Sequence, residues 1–296
     1  MRTSLKLEKG DPIALCATAR FVDQSTIDEA SKFLQNSGYD VILADNLNKR
    51  HHQMAGTDSD RLKAFQKLID SHKVKAIWCL RGGFGSLRII DEINFKQLRI
   101  HPKILIGFSD FTSILNHIVN LDYIGVHGPM PIQLTNLTEL AKDSFWDIVE
   151  GNEISYEWAS NNFNQIGKGT GKLVGGNLSV LYSLIGSSSF PKLYGAILFL
   201  EDLDEYLYHI DRMILAIKRT GAFQGLKGIV LGSFTDLHDH QIPFGQGIEE
   251  IILEHFGDLN IPIAFNFPAG HQDDNRCLLL GEVAQMNVTN EQSTLK

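Results

Sequence analysis

The chain reads as an α/β protein with a doubly wound, mostly parallel sheet in its N-terminal part and a smaller α/β unit after it. Three observations predict this. Short apolar runs alternate with amphipathic helical stretches over the first 150 residues, as in βαβ units. The apolar runs are continuous, as expected for parallel strands buried on both faces. After Gly151 the composition shifts to an Asn- and Gly-rich stretch, beyond which strand and helix patterns resume.

In order, the runs PIALCATA (12–19), DVILAD (40–45), AIWCLRGG (76–83), KILIGFS (103–109) and YIGVHG (123–128) predict five parallel strands. TIDEASKFLQNSG (26–38) and DSDRLKAFQKLIDSH (58–72) have helical spacing, acidic first turns and Gly or His exits. LRIIDEI (87–93), FTSILNHIV (111–119) and LTELAKDSFWDIVEG (137–151) continue the alternation as helices. The boundaries expected are an N-terminal domain over 1–157, a linker over 158–172 and a C-terminal domain over 173–296. In the last, AILFLED (196–202), GIVLGSF (228–234) and IPIAFNFPAG (261–270) read as strands. EYLYHIDRMILAIKR (205–219) and GIEEIILEHFG (247–257) read as helices, and RCLLLGEVAQMNV (276–288) holds a final strand pair.

Composition narrows the function classes. The chain is 43% hydrophobic and 21% charged, with a net charge of -8 and scattered Lys and Arg, which argues against nucleic-acid or anionic-membrane partners. Its first residues lack the apolar core of a signal peptide, and no apolar run reaches the ~18 residues of a membrane span. Cys16, Cys79 and Cys277 are odd in number and widely spaced, and read as buried small hydrophobes rather than a disulfide framework or a zinc site. A cytoplasmic location is expected.

Ligands of doubly wound sheets sit beyond the strands' carboxyl ends, where two notable turns fall. Ser109 stands at the bend of KILIGFSDFTSIL (103–115), between strand and helix, as an exposed nucleophile or as a helix N-cap. RGGFG (81–85) ends another strand with adjacent glycines whose N–H groups can face an anion, or which serve the turn alone. A serine nucleophile needs a base, and the base an orienting carboxylate. His271 follows a Pro–Ala–Gly turn, with His127 as its competitor at a strand end beside Ser109. His117 and His255 read as structural. Glu201 directly continues a buried apolar run, where a carboxylate needs a partner such as an imidazolium. Asp236, His238, Asp239 and His240 form a rival, metal-binding pattern without a distant partner ligand.

The segments ATA (17–19), MAGTDSDRLKAF (54–65), WCLRGGFGSLRIID (78–91), IGFSDFTSIL (106–115), VHGPM (126–130), KLVGGNLSVL (172–181), LFLEDLDEYLYHIDRMI (198–214) and PAGH (268–271) together resemble the LD-carboxypeptidase family of serine peptidases. That family includes muramoyl-tetrapeptide carboxypeptidases and microcin C immunity peptidases, and the resemblance spans essentially the whole chain. It implies a barrel-like C-terminal α/β domain, a site between the domains, and a catalytic triad of Ser109, Glu201 and His271. It also implies oxyanion donors at the backbone N–H groups of Gly83 and Asp110, no metal or other cofactor, and a homodimer acting on a muropeptide or other small peptide. Arg81 is a candidate for the substrate's terminal carboxylate, or else a strand-end residue. The chain departs from the family in Ala-Thr-Ala at 17–19, where many relatives have Pro-Ser, and in the 234–243 loop.

Overall fold

The structure, a computed structural model, describes residues 6–296. Five strands, β1 (Pro12–Cys16), β2 (Asp40–Leu43), β3 (Ala76–Cys79), β4 (Ile104–Gly107) and β5 (Gly125–His127), pair in parallel in the order β2-β1-β3-β4-β5. β1, β3 and β4 are buried almost throughout, which explains their unbroken apolar runs. The chain order reverses between β1 and β3, so ligands belong at the carboxyl ends of β1, β3 and β4.

Four helices accompany this sheet as expected. α1 (Gln24–Asn36) buries Ile27, Ala30 and Leu34, one face at helical spacing. α2 (Asp58–Asp70) starts on a Thr57–Asp60 capping box. α3 (Thr112–Asn120) follows β4, and α4 (Glu139–Val149) closes the half. The helix expected over 87–93 is instead two 3₁₀ turns, Ser86–Arg88 and Ile90–Glu92, with a third at Phe95–Arg99.

A second sheet takes β6 (Tyr156–Ala159), β7 (Gly167–Asn177), β8 (Ala196–Leu203), β9 (Gly228–Thr235), β10 (Ile263–Ala264), β12 (Val283–Val288) and β13 (Gln292–Leu295), in the order β10-β9-β8-β7-β12-β13-β6. β7 to β10 run parallel, and the other pairs antiparallel. The helices of this half are α5 (Leu178–Ser183), α6 (Leu207–Arg219) and α7 (Ile248–Phe256). The sheet's two margins meet: Gln165 bridges Ile263, and Trp158 Nε1 donates to Phe265 O at 2.8 Å, giving the barrel-like form.

The expected boundaries need correction. The stretch 158–172 is not a linker: it carries the end of β6 and the first half of β7. Its glycines reflect close packing, since a Cβ on Gly169 or Gly171 would strike the Lys227 or Gly195 carbonyl. Residues 261–270 form only the two-residue β10. The remaining strand, β11 (Leu278–Leu280), leaves the C-terminal half and joins the first sheet, antiparallel to β5.

The halves also meet through α3. Asn116 donates to Gly175 O (2.8 Å) and accepts from Gly175 N (3.1 Å), while Thr112 Oγ1 accepts from Asn177 N. These buried bonds set the carboxyl end of β7 against the start of α3, next to the bend at Ser109.

Candidate active site

The bend after β4 is sharp because Ser109 has φ +54. That left-handed conformation costs a non-glycine residue about 1–2 kcal/mol. Phe108 is extended, and a 3₁₀ turn, Ser109–Phe111, leads into α3. Gly82 approaches the serine closely: a Cβ there would lie 2.8 Å from Ser109 Oγ and 3.4 Å from Asp110 N. The strain and the glycine opposite set Ser109 apart from a plain N-cap.

A buried polar lattice fixes the loops around this bend. Asp110 accepts from Gly85 N (3.2 Å) and Ser86 N (2.8 Å), which ties the end of β3 to the end of β4. Burial raises the Asp110 pKa, against these hydrogen bonds. Ser86 Oγ meets Thr18 Oγ1 at 2.7 Å, and Thr18 O accepts from Nε of the buried Arg61 at 2.9 Å. Arg61 also donates to Gly56 O and pairs with Asp58. The loops after β1, β3 and β4 are thus one unit. Gly83 (φ +110) lies within it, and the N–H groups of Gly83 and Asp110 donate to no group among the described residues.

The second half contributes Glu201 and His271. Glu201 lies on β8 where the pairing with β9 slips: Leu200 faces Leu231, but Asp202 faces Phe234. Such irregularities re-aim side chains beside active sites. Glu201 is wholly buried, and its Oε2 lies 2.7 Å from His271 Nδ1. Gly270 permits this contact, since a Cβ there would come within 2.9 Å of Glu201 Oε2. His271 reaches the first half as well, with its ring centroid 4.7 Å from that of Phe108, the neighbour of Ser109. Burial lowers the His271 pKa, but Glu201, by charge and hydrogen bond, and Asp202 outweigh it and hold the imidazole above its ordinary value. Burial and Glu201 push Asp202 up to about 7, while Asn177 Nδ2, Ser179 N and Leu203 N donate to its carboxylate.

The other histidines separate clearly. His127 is fully buried between Phe199 and Phe108, with burial pushing its pKa down to about 4. His117 bonds Ser189 and His255 bonds Asp211, in structural roles. The polar loop after β9 holds no metal-ligand set. His238 Nε2 meets Asp204 at 2.6 Å and His240 stacks on Tyr206 and Tyr208; among the described residues no three His, Cys, Asp or Glu side chains group to hold an ion. Arg81 Nη1 donates to Phe21 O at 3.4 Å. Arg20, overlooked in the sequence, lies against Gly83: a Cβ on that glycine would be 2.9 Å from Arg20 Nε. Its guanidinium has no acidic partner among the described residues, and its placement after the ATA turn of β1 is the signal that would have found it.

A buried carboxylate–imidazole pair that packs on Phe108, the neighbour of a strand-end serine, is the kind of equipment that hydrolysis by acyl transfer uses, and the protein's relatives are peptidases. Residues 13–128 match the LD-carboxypeptidase N-terminal domain, and residues 170–286 the LD-carboxypeptidase C-terminal domain. The chain belongs to the LD-carboxypeptidase family, and is a carboxypeptidase. It is 32% identical to the probable murein peptide carboxypeptidase of Bacillus subtilis, over 98% of this chain and 93% of that one. The solved muramoyltetrapeptide carboxypeptidase from Oxalobacter formigenes superposes with a TM-score of 0.88 at 28% identity, covering 96% of this chain and 97% of the other. The microcin C7 self immunity protein MccF shares the fold, with a TM-score of 0.86 at 21% identity over 98% and 97% of the two chains.

Proposed function

We propose that the protein is a serine-type LD-carboxypeptidase that cuts the amide bond before a C-terminal D-amino acid in murein peptides, converting a tetrapeptide to a tripeptide. The observation that carries this reading is the 2.7 Å hydrogen bond between buried Glu201 and His271, beside the strained turn at Ser109. The names of the relatives, murein peptide and muramoyltetrapeptide carboxypeptidases, support the substrate class.

In this mechanism His271 Nε2 takes the proton of Ser109 as Oγ attacks the carbonyl carbon before the terminal residue. Glu201 holds Nδ1–H, fixing the tautomer, and stabilises the imidazolium that forms. The oxyanion of the tetrahedral intermediate accepts from the N–H groups of Gly83 and Asp110, each donor of this kind being worth about 100- to 1000-fold in rate. His271 then gives its proton to the leaving amine, and the C–N bond breaks. Water, deprotonated by the same imidazole, hydrolyses the acyl-enzyme and restores Ser109. No step calls for a metal or another cofactor. Arg20, beside Gly83 and without an acidic partner among the described residues, is the cation for the substrate's terminal carboxylate, the mark by which an exopeptidase knows a chain end. We assign the enzyme to peptidoglycan recycling in the cytoplasm, a setting that suits its three buried, unpaired cysteines, and to a homodimer.

The test is D-alanine release from muramoyl tetrapeptides carrying diaminopimelate or lysine at the third position, set beside cleavage of a peptidyl-nucleotide. Release from the tetrapeptides, absent in Ser109→Ala, together with covalent labelling of Ser109 by a serine-directed phosphonate, is the expected result. Undiminished release by Ser109→Ala overturns the mechanism, and cleavage of the peptidyl-nucleotide alone overturns the substrate.

A further inference from the structure

Among the described residues, the buried side-chain atoms without a hydrogen-bond partner in the chain are His127 Nδ1 and Nε2, Glu201 Oε1 and Ser233 Oγ. Buried polar groups are nearly always served, so each exception needs a reason. Here Ser233 and Glu201 are neighbours across Gly270, and His127 is coupled by charge to the same carboxylate. The point where a Cβ on Gly270 would stand is 2.5 Å from Ser233 Oγ and 2.9 Å from Glu201 Oε2. His127, at the carboxyl end of β5, feels the charges of both Glu201 and His271, and the Asn275 side chain lies beside its ring without meeting hydrogen-bond geometry. Its ring is wedged 4.8 Å from Phe199 and 5.7 Å from Phe108, and Phe108 in turn packs on His271.

We propose that His127 is a positioning residue: with the Ser233 hydroxyl, and through a bridging buried water, it holds the second oxygen of Glu201 and so fixes the plane in which the first meets His271. The inference rests on the reading of Glu201 and His271 as the acid–base pair. A neutral imidazole carries one N–H donor and one acceptor nitrogen in either tautomer, so His127 serves the carboxylate without a net charge. Its depressed pKa keeps it neutral at working pH, where a cation would repel the imidazolium of His271. Buried waters typically make about three hydrogen bonds to such otherwise unserved groups, which matches the donors and acceptor gathered here.

The titratable groups around His271 are Glu201 and Asp202 on β8 and His127 on β5. Loss of the dipole aimed at Glu201 leaves more negative potential at His271 and favours its imidazolium. His127→Phe, which keeps the ring packing, is therefore expected to lower kcat about tenfold with KM within about twofold. It also moves the acid limb of the kcat/KM profile to higher pH, by roughly half a unit. His127→Gln, with an amide donor, restores part of both. A role in packing alone reduces the active fraction and leaves the acid limb in place. Wild-type kcat and acid limb in a well-folded His127→Phe overturn the inference. Should that variant not fold, Ser233→Ala takes its place: the same two changes, smaller in size, support the inference, and their absence overturns it. In either case inactive Ser109→Ala and His271→Ala enzymes show that the acid–base reading itself survives, whereas activity in those variants would remove its foundation.

Discussion

Glutamine at position 201 keeps the size and an oxygen for His271 Nδ1–H but removes the charge. Glu201 is fully buried and His271 Nδ1 lies 2.7 Å from its carboxylate, with the His271 side chain only 15% exposed, so solvent screens the pair weakly. With charge centres about 4 Å apart and an effective dielectric constant of about 20, the attraction between carboxylate and imidazolium is about 4 kcal/mol. At 1.36 kcal/mol per factor of ten, Glu201→Gln is expected to lower kcat about 1000-fold, with KM little changed. The pH profile gives a second reading. In the wild type, Glu201 and Asp202 raise the His271 pKa against the burial that lowers it. Without the Glu201 charge burial gains the upper hand, so the acid limb of kcat/KM shifts to lower pH. The assay is D-alanine release from a muramoyl tetrapeptide across pH, with circular dichroism to verify folding. A loss under tenfold, or an acid limb that stays in place, refutes the reasoning.

Other expectations follow from the same geometry. Gly82→Ala puts a methyl group 2.8 Å from Ser109 Oγ, so kcat falls at least 100-fold and the thermal midpoint drops by a few degrees; near-normal turnover contradicts the close approach. Ser109→Gly relieves the left-handed strain that Ser109→Ala retains, so by urea denaturation the glycine variant is the more stable of these two inactive proteins by about 1 kcal/mol; equal midpoints refute the strain. Asp110→Ala strips the Gly85 and Ser86 N–H groups of their acceptor and lowers the unfolding free energy by about 2–3 kcal/mol, also measured in urea, with a fall in kcat as the RGGFG turn loosens. Arg20→Ala raises KM roughly 10- to 100-fold for a substrate with a free terminal carboxylate and leaves that for the amidated analogue unchanged; equal effects on both would sink the assignment of Arg20.

Much of this was legible in the residues because burial writes itself into local pattern. The five parallel strands read as continuous apolar runs, and Glu201 stood out as a carboxylate on such a run. What the sequence concealed depends on partners distant along the chain. LRIIDEI has helical spacing, yet after Gly85 the chain takes tight 3₁₀ turns while Asp110 grips the Gly85 and Ser86 N–H groups. The glycines of 167–171 read as a linker because the carbonyls that exclude their side chains belong to residues 195 and 227. Arg61 left a readable trace: it lies three and four residues before Ala64 and Phe65, on the apolar stripe of α2. A charge on such a stripe must be tied down, and here it anchors the turn after β1 through Thr18. His127 was legible as a strand-end histidine, but not that aromatic rings would enclose it.

The return of Leu278–Leu280 to the first sheet has a mechanical consequence. Just beyond the loop carrying His271, the backbone is stitched to β5, whose last residue is His127, so that loop is moored to the same sheet that carries Ser109. A hinge that spread the halves apart would first have to unpick that seam. The isolated N-terminal half, without β11, would expose a raw β5 margin open to self-association.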